Sequence, residues 1–226
     1  MEFDITKLIF MIPALLLAVI VHELGHGIVA YRLGDPTPKL AGRLTFNPIP
    51  HIDPFGSILL PAILIIFNSP VLFGWAKPVP INPLNFKKLG YKKGFAITAL
   101  SGPSMNFLFA FIFGFLFQLF SSEGFLSTVA SITGTGFIKS VIMPLLIFFQ
   151  YSVSINIILG LFNLLPVPPL DGWRVITSFL PYHMEQKLQP VEQYGMIILI
   201  VLLLIGVLNY IIIPPYLFLT KILLGM

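Results

Sequence analysis

The chain contains no cysteine. That excludes disulfides, thiolate metal ligands, cysteine nucleophiles and iron–sulfur clusters. Charge is nearly as scarce. Asp, Glu, Lys and Arg make up 10% of the 226 residues, against about a quarter in soluble domains. With 57% hydrophobic residues and a mean hydropathy of +0.95, the composition is that of an integral membrane protein. The net charge of +4 is scattered over loops rather than gathered into a basic patch. No nucleic-acid partner is expected, and the lipid bilayer is the first partner implied. Nine acidic residues and four histidines leave few places for chemistry.

Five apolar stretches stand out: about 5–33, 55–74, 95–120, 137–165, and one from Tyr194 that meets Pro214-Pro215. A helix needs about 20 residues to span the hydrocarbon core, so all but the second qualify. The first stretch lacks the basic start and small-residue cleavage site of a signal peptide. It is expected to stay in the mature chain. Segment 74–94 carries Lys77, Lys87, Lys88, Lys92 and Lys93 and no acidic residue. The segment after the first span carries Arg32, Lys39 and Arg43, whereas 121–136 has no Lys or Arg. By the positive-inside rule the first two face the cytoplasm and the third faces outward. Segment 55–74 then dips in and returns or crosses twice, and Pro54, Gly56, Pro61 and Pro70 suit a re-entrant path; an ordinary short span with one basic loop outside is the alternative. The expected fold is an all-α polytopic membrane protein. It has four long transmembrane helices, a short re-entrant segment, and short extended or β pieces after the first helix.

Inside the first span lies the sequence "HELGH". His22 and His26 are four apart, so on a helix they share a face and both imidazoles reach one ion. Glu23 is rotated about 100° from His22, where it can act as a base on water held by that ion. Polar side chains are costly in hydrocarbon unless paired or liganded, which makes a chance occurrence here improbable. Zinc takes nitrogen and oxygen ligands in a tetrahedron, and a catalytic site keeps one position for water. Two histidines therefore call for a third protein ligand. Gly25 and Gly27, in the same turn, let a second helix or a peptide approach closely.

Among Glu2, Asp4, Asp35, Asp53, Glu123, Asp171, Glu185, Glu192, His51 and His183, the best placed third ligand is Asp171. It sits in "NLLPVPPLDGWR", residues 163–174, at the basic end of the fourth stretch, where three prolines break the helix and Gly172 permits a turn. The zinc motif ends about 9 Å by helical rise from Arg32, so both elements lie at similar depth on the cytoplasmic side. An Asp-Gly turn capping a helix is the alternative reading of Asp171. An ion relay through the membrane is the rival function, but it gives no reason for Glu23 to follow His22 directly.

With both motifs in view, the chain resembles the site-2 protease family of intramembrane zinc metalloproteases. "VHELGHG" is similar to that family's HExxH span, and the 163–174 segment to its second motif, in which an aspartate is the third zinc ligand. "ALSGPSMNF", residues 99–107, resembles the Gly-Pro-x-x-Asn segment of the intervening span. "NPIPHIDPFGSILLP" and "FGWAKPVPINP" resemble a compact prokaryotic branch without PDZ or CBS domains. The resemblance covers about residues 21–174. It implies one Zn2+ per chain held by His22, His26 and Asp171, with Glu23 as catalytic base. Asn106 and Asn163 are implied near the site, to stabilise an oxyanion or position substrate. His51 is a further candidate to line it.

The implied activity is hydrolysis of peptide bonds in transmembrane or membrane-associated substrates, in regulated intramembrane proteolysis. The implied location is a prokaryotic cell (inner) membrane, with the active site toward the cytoplasm. The chain reads as one integral-membrane metalloprotease domain, 1–226. Its core is about 5–175, followed by an accessory helix at about 194–213 and a short apolar tail, 214–226. Oligomeric state is not legible. The Pro-rich stretches 41–55 and 77–82 are expected to be partly extended and to pair with an unwound substrate. His183 is expected to be a solvated loop residue, and Trp75 and Trp173 interfacial anchors.

Overall fold

In hydrocarbon a backbone must satisfy its own hydrogen bonds, which favours uninterrupted helices. The computed structural model, which describes residues 5–59, 63, 66 and 75–225, follows that rule. Helix α1, Ile5–Leu33, takes up the whole first stretch and keeps Pro13 inside it. It ends at Gly34, whose φ of +113° lies in the region that glycine tolerates best. A short α2, Thr37–Leu40, follows. Next come a 3-10 turn at Ile49–His51, a π turn at Pro54–Leu59 and a 3-10 turn at Pro83–Asn85. Helix α3 is Tyr91–Ser121 and α4 is Glu123–Thr133. Turns at Thr135–Phe137 and Ile138–Ile142 lead into α5, Met143–Asn163. The chain closes with α6, Asp171–Phe179, α7, Tyr182–Gln193, α8, Gly195–Leu204, and α9, Val207–Leu224.

Among the described residues, four helices are long and apolar enough to cross a membrane: Leu8–Leu33, Tyr91–Ser121, Thr135–Asn163 and Val207–Leu224. The pair His183–Gln193 and Gly195–Leu204, bent by 61°, makes a fifth if counted as one span. The all-α polytopic fold is thus as expected. Two details differ. No β-strand occurs among the described residues; the segments after α1 are turns and extended chain, and the prolines in them remove ladder donors. The last apolar stretch is also divided elsewhere. It breaks at Gly206, which caps the start of α9 with φ +74° just after Ile205 closes α8, while Pro214 and Pro215 lie inside α9. Prolines are tolerated in membrane helices because neighbouring groups re-satisfy the freed carbonyls. The centre of the expected re-entrant segment 55–74 lies outside the described residues. Its two ends meet: Trp75 N donates to Gly56 O at 3.1 Å, and Ser57 Oγ to Trp75 O at 2.8 Å.

Helix α3 is central and packs on α1, α5 and α6. Lipid tails are as apolar as leucine, so close contact rather than water exclusion holds such helices together. Small residues provide that contact. A Cβ on Gly25 would lie 2.6 Å from the Ser101 carbonyl on α3, and one on Gly160 3.0 Å from Phe107. Away from the polar site, α3, α5 with the turn before it, and α9 share a core of Ala110, Phe113, Ile142, Leu146, Phe149, Val153, Ile157 and Leu224. At the other end, Lys87 N donates to Leu33 O at 3.1 Å. Lys92 there reaches the Leu180 carbonyl and pairs with Glu185 at 3.3 Å. The C-terminus of α1, the N-terminus of α3 and the α6–α7 corner therefore share one basic end.

Candidate metal centre

The i, i+4 spacing on α1 sends the His22 and His26 side chains the same way, toward α3 and the start of α6. Their Nε2 atoms are 3.1 Å apart. Asp171, first residue of α6, places Oδ2 3.1 Å from each of them. All three residues are buried and form a group able to hold a metal ion. The loop between α5 and α6 makes this possible. Gly172 lies so close to Leu164 and Leu165 that a Cβ would sit 2.2 Å from the Leu164 carbonyl. That close approach turns the start of α6 back under α1.

The hydrogen bonds around the histidines fix what their Nε2 atoms are. His22 Nδ1 lies 2.6 Å from Asn106 Oδ1, and His26 Nδ1 2.7 Å from the Thr98 carbonyl. Both partners are acceptors, because Asn106 uses Nδ2 to donate to Ala18 O and Asn156 Oδ1, each at 2.9 Å. Each neutral imidazole thus carries its proton on Nδ1, and its Nε2 presents a lone pair. Asp171 Oδ2 adds a third lone pair and has no hydrogen-bond donor. Three lone pairs converging in a buried place repel one another unless a cation lies among them. The spacing fits zinc: bonds of about 2.0–2.1 Å in a tetrahedron set ligands about 3.3 Å apart. The wall behind is bare, since a Cβ on Gly102 would lie 2.4 Å from His26 Nε2 and 2.8 Å from His22 Nε2.

Glu23, half-buried on the same turn, accepts the backbone N–H of Val79 on Oε2 at 2.7 Å. Val79 belongs to an extended strap, residues 77–82. Pro78 and Pro80 flank it and have no N–H of their own. The strap is held at both ends by buried charges. Arg43 Nη2 donates to the Lys77 carbonyl. Asp35 Oδ2 accepts from Asn82 N at 2.7 Å, while its Oδ1 accepts from Asn85 Nδ2 at 2.9 Å. Oδ1 also accepts from Thr37 N and Oγ1, at 3.1 and 2.6 Å. Burial by itself would raise the pKa of Asp35, but the donors from Asn85, Thr37 and Asn82 outweigh it and hold it below the usual carboxylate range. Burial pushes Arg43 down, opposed by the nearby charge of Glu23.

His22, His26 and Asp171 are therefore brought together, with Glu23 beside His22 in the chain. Asn106 touches His22, and its amide is fully engaged. Asn163 turns its Nδ2 back to Leu159 O at 3.0 Å within its own helix. His51 is buried at the strap, where its backbone carbonyl accepts Lys77 N at 3.0 Å. Its Nε2 lies 3.0 Å from Thr45 O and its Nδ1 has no partner. His183 is exposed, on α7. Sequence reasoning missed Asn156, Asp35 and Arg43. Only Asn156 carried a usable signal, as an amide in the middle of an apolar span.

Fold and site together define a polytopic membrane protein with a buried group of two histidines and one aspartate able to hold a metal ion. The description "Peptidase family M50" matches residues 10–206. "Putative zinc metalloprotease YwhC" of Bacillus subtilis (strain 168) is 38% identical over 205 residues, covering 91% of this chain and 84% of that protein. "Putative zinc metalloprotease Rip2" of Mycolicibacterium smegmatis is 27% identical over 201 residues, covering 89% and 69%. No solved structure matches. The chain belongs to peptidase family M50, the site-2 proteases, and is a zinc metalloprotease.

Proposed function

We propose that this chain cuts transmembrane or membrane-associated proteins within the bilayer, toward its cytoplasmic face, in regulated intramembrane proteolysis. His22, His26 and Asp171 would hold one zinc ion. The observation that carries the reading is the convergence of His22 Nε2, His26 Nε2 and Asp171 Oδ2 at 3.1 Å from one another, one residue along the chain from Glu23. Bound zinc would supply Lewis acidity and lower the pKa of a water toward about 7.

The chain's own residues do the rest. Glu23 takes the proton from the attacking water and returns it to the leaving amine. Asn106 and Thr98 hold the imidazoles so that Nε2 faces the centre. A substrate helix hides its carbonyls in its own hydrogen bonds and has to unwind locally before attack. The basic end shared by α1, α3 and α6 supports a cytoplasmic setting, because basic loops stay inside.

Glu23→Gln is the direct test. The variant should keep its zinc and lose turnover by about 10²–10⁴-fold, and turnover at the wild-type rate would refute the assignment. Comparing membrane-protein fragments in cells carrying wild type and Glu23→Gln should reveal substrates as peptides that vanish in the variant.

A further inference from the structure

Glu23 is a flexible side chain with three rotatable bonds, and a general base works only when held within reach of the proton it takes. What holds it here is one backbone N–H from a strap far away in sequence. Over residues 78–80 the strap has a single N–H, that of Val79, because Pro78 and Pro80 have none. Prolines also keep the residues before them, Lys77 and Val79, extended. A slip of one residue either way would set a proline against Glu23 and leave its Oε2 without this donor. Register is therefore what the base depends on.

Two buried charges fix that register. Asp35, fully buried, gathers four hydrogen bonds from the strap end, from Asn85 and from Thr37. Arg43, 4% exposed, holds the Lys77 carbonyl at the other end. A desolvated charge tolerates no loss of its partners, so each behaves as a pin rather than a loose contact. Between them the Val79 side chain is buried against Gly27, where a Cβ would lie 3.4 Å from Val79 Cγ1.

We propose that Asp35 and Arg43 are positioning residues for Glu23. Asp35 acts through the 77–82 strap, whose Val79 N–H orients the carboxylate, and Arg43 acts through the same strap and through its own charge near Glu23. The inference rests on the reading of Glu23 as the base. Asp35 touches no group of the metal centre; its effect on catalysis runs through the register of the strap.

The test uses the zinc-loaded full chain in detergent, with a quenched-fluorescence peptide whose apolar core is broken by glycine as the probe. Val79→Pro deletes the N–H, whereas Val79→Ala trims the side chain and keeps it. Val79→Pro should show a kcat about 10- to 100-fold below that of Val79→Ala, the range seen when a supporting hydrogen bond is lost. KM and the single bound zinc should match between the two. Asp35→Asn should lower kcat at equal zinc content in the Val79 chain and lower it no further in the Val79→Pro chain.

Equal kcat for Val79→Pro and Val79→Ala overturns the proposal, and so does zinc loss in Val79→Pro alone. Full multiplication of the Asp35→Asn and Val79→Pro effects overturns it as well. If Asp35→Asn does not fold, the proline–alanine comparison decides. The underlying reading fails separately: an active Glu23→Gln removes the base, whereas an inactive Glu23→Gln with equal Val79 variants removes only the positioning role.

Discussion

Asn106 Oδ1 lies 2.6 Å from His22 Nδ1, across 84 residues of sequence. The same amide donates to Asn156 Oδ1 and to the Ala18 carbonyl. The path from α5 through α3 to α1 is thus one chain of hydrogen bonds, all buried, ending on an imidazole. Its orientation decides which ring nitrogen faces the centre.

Truncating that amide should loosen the metal. Asn106→Ala is expected to lower zinc affinity by about 10- to 100-fold, read by competition against a chelator of known affinity. Unchanged affinity would show that His22 needs no such partner.

Gly102 should tolerate no side chain. A Cβ there would lie 2.4 Å from His26 Nε2, inside the space where ligand atoms converge. Gly102→Ala is expected to abolish stoichiometric zinc, measured by metal analysis of the purified protein. Gly124→Ala, where nothing lies within 4 Å, provides the control.

Zinc should also stabilise the fold, because without it three lone pairs face one another in a buried site. At free zinc a thousandfold above its Kd the gain is about 4 kcal/mol. Thermal unfolding in detergent should show a zinc-dependent rise in Tm for the wild type. Asp171→Asn, which loses the anionic ligand, should show a much smaller rise.

The clustering of His22, His26 and Asp171 was legible in the sequence for a physical reason. Helical periodicity alone puts His22 and His26 on one face, and proline and glycine mark where the chain turns back at Asp171. Asp35, Arg43 and Val79 were not legible. Their roles arise from contacts made 34 to 56 residues away, and no local pattern encodes such pairings. Pro214 and Pro215 misled for the opposite reason: a local rule about helix breakers gave way to the surroundings, and the break fell at Gly206 instead. The β pieces expected after α1 failed similarly, since extended chain rich in proline has the shape of a strand without its donors.

Asp35 predicts a pH dependence of stability. Its folded pKa lies below the ordinary value, which is about 3.9. Its contribution is therefore complete above that value and is lost as pH falls through the folded pKa. Asp35→Asn should melt lower than wild type at neutral pH, and the gap should close in acid below about pH 4. Melting curves of both proteins across that range check this, and a gap that stays constant would contradict it.

Topology is open to labelling, and the absence of cysteine makes the background silent. Lys39→Cys and Lys88→Cys should react with an impermeant maleimide from the same side of the membrane, since both lie in basic segments at the shared end of the bundle. Labelling from opposite sides would exclude that arrangement.

The backbone bonds joining Gly56 to Trp75, and His51 to Lys77, close the chain on itself just before the strap begins. A segment that starts from a closed point inherits its phase from there. The place of Val79 opposite Glu23 is therefore set within a few residues of that closure.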